Sequence, residues 1–89
     1  MEVLVFSSPY CSPCQQLKKL LAEHDISFTE LNVETEEGRE KACFYGVRGL
    51  PTTVIKENGT VISAFTGTSQ RIVEEILSLT TSSRKLSTY

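Results

Sequence analysis

Two cysteines with two residues between them, Cys11 and Cys14 in "SSPYCSPCQQLKKLL", carry the chemistry this sequence can do. Thiols at that spacing can ligate a metal, close a small structural loop, or trade a disulfide with a partner. A tetrahedral zinc site needs four ligands, and beyond this pair the chain offers only Cys43 and His24, with no second Cys-x-x-Cys. An iron–sulfur cluster bridging two chains, each lending Cys11, escapes that count and stays an alternative. A structural staple gains little from so short a loop, because closing it constrains the unfolded chain little. Exchange has the better physical case. The pair stands where a Val-rich run gives way to a helical pattern, so free amide N–H groups and the helix dipole point at Cys11 and favour its thiolate. Cys14, one helical turn on, is placed to displace Cys11 from a mixed disulfide. Pro13 suits a first helical turn, where its missing N–H would be unpaired anyway, and it stiffens the loop.

The elements that must position this pair follow from periodicity. Glu2 to Phe6 is apolar at nearly every position, as in a strand covered on both faces. From Pro13 onward Leu17, Leu20, Leu21 and His24 recur at helical spacing, with Gln15, Gln16, Lys18, Lys19 and Glu23 opposite, and this helix closes near Asp25. Phe28 to Val33 reads as a second strand. Thr35 offers an N-cap, with Glu36 and Glu37 at the positive end of a helix that runs to about Tyr45 and stops at Gly46. "TTVIKE" and "TVISAF" flank Asn58-Gly59, a strong hairpin signal. Thr68 or Ser69 then caps a last helix with Ile72, Val73, Ile76 and Leu77 on one face. The order βαβαββα implies a right-handed parallel crossover between the first two strands and a mixed sheet closed by the hairpin.

Composition narrows the functional classes. At 89 residues and 39% hydrophobic, the chain has room for one domain, expected over residues 1–79, with the polar stretch 80–89, "TTSSRKLSTY", as a flexible tail. Nine Lys and Arg against eleven Asp and Glu give a net charge of −2 and no basic stripe, which argues against nucleic acid as a partner. No apolar run approaches a membrane span, the first residues lack the basic start of a signal peptide, and three cysteines make an odd number for a secreted disulfide framework. A soluble, cytoplasmic protein is expected, monomeric and without a metal or other cofactor.

Three motifs in order carry a resemblance. "YCSPC" resembles the thioredoxin signature, with Tyr10 where tryptophan is usual and Ser12 where glycine is usual; "YGVRGLPT" resembles the segment before the thioredoxin cis-proline; "KENGTVISAFTGTS" resembles the hairpin and glycine that follow. The chain is thereby identified as a member of the thioredoxin superfamily from Glu2 to Leu79. The resemblance implies the minimal thioredoxin fold, an α/β arrangement of a four-stranded mixed sheet flanked by three helices. It also implies a dithiol–disulfide oxidoreductase with Cys11 as nucleophile and Cys14 as resolving thiol. Pro51 would be cis. Leu50 would offer its main chain to an extended substrate segment, by β-strand addition. Tyr10, Ser12, Pro13, Gly49, Thr66 and Gly67 would rim the groove with them, although Gly49 and Gly67 also suit plain turns.

The departures from thioredoxin are as informative. The chain begins on the strand before the motif and has the length of a glutaredoxin. Six residues before Cys11, where thioredoxins keep a buried acid that helps deprotonate the resolving cysteine, stands Val5; Glu30 replaces the lysine that opens the thioredoxin "LNV"-like strand. Glu30 is thus a candidate for part of the acid's role, against the plainer alternative of a solvated carboxylate on an edge strand. Glutaredoxins hold glutathione with a basic residue near the motif and a Gly-Gly-Ser/Asp turn, whereas "TGTSQ" has one glycine and no acid, and only Lys18 and Arg48 offer a nearby cation. The resemblance therefore implies a thioredoxin-like hydrogen donor reduced by thioredoxin reductase, acting on disulfide-containing proteins with ribonucleotide reductase as a candidate client. A glutathione-dependent glutaredoxin is the alternative. Cys43 is expected as a buried, inert thiol, and His24 as a packing or capping residue.

Overall fold

The computed structural model describes the backbone of residues 1–88 and the side chains of residues 1–80. The elements are β1 (Glu2–Ser7), α1 (Ser12–Glu23), β2 (Thr29–Asn32), α2 (Glu36–Tyr45), β3 (Thr52–Glu57), β4 (Thr60–Thr66) and α3 (Gln70–Thr88). This is the expected βαβαββα order. The sheet runs β2-β1-β3-β4, with β1 parallel to β2 and antiparallel to β3, and β3 antiparallel to β4.

The apolar run of β1 is explained by its central place. Val3 and Val5 point to one face, where they meet Leu17 and Leu21 of α1, Ile55 of β3 and Val73 and Ile76 of α3. Leu4 and Phe6 point to the other, with Leu31, Val54 and, from α2, Ala42 and Tyr45. Phe6 and Tyr45 meet edge to face at 5.9 Å between ring centroids, an arrangement favoured by the ring quadrupoles. A strand alternates sides, so a strand packed on both sides must be apolar throughout.

Local signals set the element ends. Thr35 accepts the Gly38 amide at 3.0 Å as N-cap of α2, and Gly46 closes that helix in the left-handed conformation with φ 71. Asn58 and Gly59 turn the hairpin with φ 54 and 81, as a type I′ turn requires. Ser69 accepts the Ile72 amide at 3.2 Å and caps α3. Of the face read for α1, Leu17 and Leu21 are buried, whereas His24 is exposed and serves as the C-cap, its amide meeting the Leu20 and Leu21 carbonyls.

The helix α3 runs to Thr88, past the end of its apolar pattern. The stretch 80–89 contains neither Gly nor Pro, so nothing in it stops the backbone hydrogen-bond ladder where the apolar pattern ends at Leu79. Cys43 is exposed, not buried. The turn of α2 that aims Ala42 and Tyr45 at the sheet carries Cys43 and Phe44 away from it.

Candidate active site

The pair is built at the end of the central strand. Beyond Ser7, the Cys11 amide bonds back to the Ser8 carbonyl at 3.1 Å and the Tyr10 amide to Ser8 Oγ at 3.2 Å, a tight turn that delivers Cys11 to the N-cap of α1. Its sulfur accepts the Cys14 amide at 3.2 Å, where an Asp or Ser oxygen would sit in an ordinary cap. Pro13 lies in the first turn, as its chemistry demands. The Cys11 and Cys14 sulfurs stand close to a disulfide's separation, with Cα atoms 5.2 Å apart. Cys14 is fully buried and Cys11 partly exposed. Of the two sulfurs, that of Cys11 is the one open to a substrate.

A second group of predicted residues is gathered opposite. The Leu50–Pro51 peptide is cis. The Gly67 amide donates to the Pro51 carbonyl at 2.8 Å, and Thr66 pairs with Thr52, whose hydroxyl also donates to the Gly49 carbonyl. Gly67 has φ 111, a region that side-chain-bearing residues rarely enter, and a Cβ on Gly49 would stand 3.2 Å from the Thr66 methyl. Gly49, Leu50, Pro51, Thr66 and Gly67 therefore form one knot. Thr68 ties it to the cysteine helix, its hydroxyl donating to the Pro13 carbonyl at 2.7 Å across 55 residues of sequence. Tyr10 stands free at 87% exposure beside Cys11, and Ser12 is exposed.

Glu30 is neither an isolated solvated acid nor a buried base. It lies on edge strand β2 directly beside Val5, accepts the buried Ser7 hydroxyl at 2.7 Å, and pairs with Lys18. The hydrogen bond from Lys18, then that from Ser7, lowers its pKa below the ordinary 4.5. A carboxylate held that way is a weaker proton acceptor than a free one. Its folded-state pKa is depressed, so its contribution is present above the unfolded value and fades as pH falls below 4.5 through the folded value. Glu30→Gln is expected to lower stability at pH 7 by under about 1 kcal/mol, a figure discounted for solvent screening of a half-exposed pair. Urea midpoints from pH 7 to pH 3 should show that difference closing on the acid side.

Against protein-family models, residues 3–61 match the one described as Glutaredoxin. The chain belongs to the glutaredoxin family. It is 38% identical over 64 residues to "Glutaredoxin-like protein NrdH" of Lactococcus lactis subsp. cremoris, covering 71% of this chain and 86% of that one. Among solved structures, Fasciola hepatica thioredoxin aligns at TM-score 0.70 and 26% identity over 85% of this chain and 76% of its own. The Escherichia coli glutaredoxin-like protein NrdH-redoxin, described as having a thioredoxin-like activity profile, aligns at TM-score 0.67 and 18% identity over 84% and 93%. This glutaredoxin-family chain is a thiol–disulfide oxidoreductase with a redox Cys-x-x-Cys pair on a thioredoxin-like fold. Among its described residues, no helix is long and apolar enough to cross a membrane, and no three His, Cys, Asp or Glu side chains converge as metal ligands.

The sequence had no signal for three features of the site. Ser7 as a Glu30 partner and Lys18 as its counter-ion depend on the β1–β2 register and on the pitch of α1 over it. Thr68 was readable as a cap, not as a tie to Pro13.

Proposed function

We propose that this protein is a hydrogen donor that reduces protein disulfides and is itself reduced by thioredoxin reductase. The carrying observation is Cys11 at the N-cap of α1, its sulfur within reach of the Cys14 amide, with Cys14 buried one turn behind. The amide and the helix dipole favour the Cys11 thiolate. That thiolate attacks one sulfur of a substrate disulfide, forming a mixed disulfide and expelling the other sulfur as a thiolate, which takes up a proton. Cys14, deprotonated, then attacks Cys11 Sγ, the mixed disulfide breaks, and the second substrate thiol leaves. The substrate has gained two electrons and two protons; the pair has lost them.

Substrate docking follows the same geometry. The Gly49 and Pro51 carbonyls are occupied by Thr52 and Gly67, which leaves the Leu50 main chain to receive an extended segment beside the cysteines. Tyr10, Ser12, Pro13, Thr66 and Gly67 form the rim, with exposed Tyr10 as an apolar wall.

The choice of reductant rests on charge. Of the two cations singled out as glutathione contacts, Lys18 is committed to Glu30, and Arg48, three residues before Pro51, is exposed. The turn into α3 supplies one glycine and no acid for a glutathione amine. The NrdH relatives and the thioredoxin-like activity named for one of them favour the same side. We place the protein in the cytoplasm as a monomer, with ribonucleotide reductase as client.

Cys14→Ser tests the order of events. Incubated with a disulfide-containing protein, it should accumulate a mixed disulfide at Cys11, seen by intact mass and released by dithiothreitol. Adducts carried on Cys43 instead would refute the assignment.

A further inference from the structure

Among the described residues, one buried side-chain polar atom has no hydrogen-bond partner: the Thr53 hydroxyl, on a residue with no solvent exposure. A buried hydroxyl without a partner loses its water and gains nothing in return, so its persistence calls for an explanation. Valine would fill the same space and bring no such cost.

The register says where that hydroxyl lies. Thr53, on β3, sits beside Val5 of β1 and Phe65 of β4, on the face that carries Ile55 and is covered by α1 and α3. Since β1 and β2 are parallel, α1 must run back against β1, so its first turn lies over the end of β1 that holds Val5 and Ser7. Leu21, in the last full turn, packs in the cluster that includes Val3 at the other end. Cys14, Leu17 and Leu21 are the buried residues of α1, and their three- and four-residue spacing puts them on one helix face. The first turn of α1, with Cys14, thus stands at the end of the sheet where Thr53 pairs with Val5, and the neighbouring cluster of Leu17, Leu21, Ile55, Val73 and Ile76 is apolar.

We propose that the Thr53 hydroxyl is a hydrogen-bond donor held for the Cys14 sulfur of the reduced pair. This rests on the redox role assigned to Cys11 and Cys14. In the disulfide, Cys14 Sγ is bonded to a second sulfur and is a poor acceptor. Reduction breaks the S–S bond, adding two electrons and two protons from a dithiol that itself closes to a disulfide. Cys14 Sγ is then a thiol, or the thiolate that resolves a mixed disulfide, and accepts the Thr53 proton donor. The hydroxyl is unpartnered in the oxidised pair and partnered in the reduced one, so it favours reduction. Thr53 is a positioning residue: it acts on the resolving sulfur of the reduced pair and takes no part in bond exchange.

The test is the equilibrium of the pair with dithiothreitol, read by alkylation and mass, in the wild-type protein and in Thr53→Val. Removing the hydroxyl should shift the equilibrium toward the disulfide by about three- to tenfold, the range of one neutral hydrogen bond; tenfold is about 30 mV for two electrons. Urea midpoints should change differently in the two redox forms, with Val stabilising the oxidised form and not the reduced one. Thr53→Ser should keep the wild-type equilibrium and Thr53→Ala should not, a comparison that isolates the hydroxyl if the Val variant packs badly. Unchanged equilibrium constants, or equal stability changes in both forms, would overturn the proposal while the redox reading stands. A wild-type pair that does not equilibrate with dithiothreitol would overturn both.

Discussion

Replacing Cys11 by Ser is expected to reduce protein-disulfide reduction by more than about 10³-fold, to the uncatalysed background, because a hydroxyl at neutral pH is not a nucleophile toward sulfur. The variant should still fold. Serine is among the preferred N-cap residues, and its oxygen would accept the same Cys14 amide that the sulfur accepts at 3.2 Å. A loss of activity with a retained thermal transition therefore reads chemistry and not structure. The matching control is Cys43→Ser. Cys43 is exposed on the outer side of α2, and turnover should be unaffected. Equal loss in both variants would detach the activity from the Cys-x-x-Cys pair.

The largest stability effect away from the pair is expected at Gly38. A Cβ there would overlap the Asn32 carbonyl and stand 3.0 Å from Thr35 Oγ1. Both are parts of the turn that joins β2 to α2. The Asn32 carbonyl accepts the Thr35 amide at 3.0 Å and the Thr35 hydroxyl at 2.7 Å, while Thr35 caps the helix through the Gly38 amide. Because the obstacle is main chain, relief requires moving the cap away from the strand. Gly38→Ala should cost about 2 to 4 kcal/mol, the range of overpacking combined with loss of a cap. For a domain of this size that lowers the melting temperature by roughly 10 to 20 °C. A urea midpoint within experimental scatter of wild type would mean that the β2–α2 turn is looser than these distances imply.

Glycine at that position would be a surprising choice on helix propensity alone, and nothing in "EEGREK" announces the reason. The contrast marks what was legible in the sequence. Features set by neighbours along the chain were readable: the Asn58-Gly59 hairpin, the Thr35 cap, the Gly46 stop and the Cys11–Pro13–Cys14 helix start all follow from a few adjacent residues. So was the two-sided burial of β1, because a strand with apolar residues at every position has few other uses. Gly49, Leu50, Pro51, Thr66 and Gly67 were expected at a substrate rim from a family resemblance, and the structure bonds Gly67 to Pro51 and Thr52 to Gly49 among them.

Features that depend on which residues a distant element brings alongside were not readable. Glu30 could be singled out by its position, but its partners Ser7 and Lys18 come from two other elements. Thr53 sits in "TTVIKE" as an unremarkable β-branched residue, and only the register shows that its hydroxyl is buried and alone. Cys43 was misjudged because a small thiol is usually buried, while the rotation of α2 is set by Ala42 and Tyr45. Apolar periodicity marks the packed part of α3 and not its last hydrogen-bonded turn.

We propose that this pair, in a chain with no acid in the turn before α3 and with Lys18 tied to Glu30, takes electrons from a flavin-dependent reductase and not from glutathione. The most direct measurement is NADPH consumption during reduction of the Cys11–Cys14 disulfide, run once with thioredoxin reductase and once with glutathione plus glutathione reductase. Turnover with the first and background rates with the second is the predicted result. Turnover only with the second would contradict the account and make the protein a glutathione-dependent glutaredoxin.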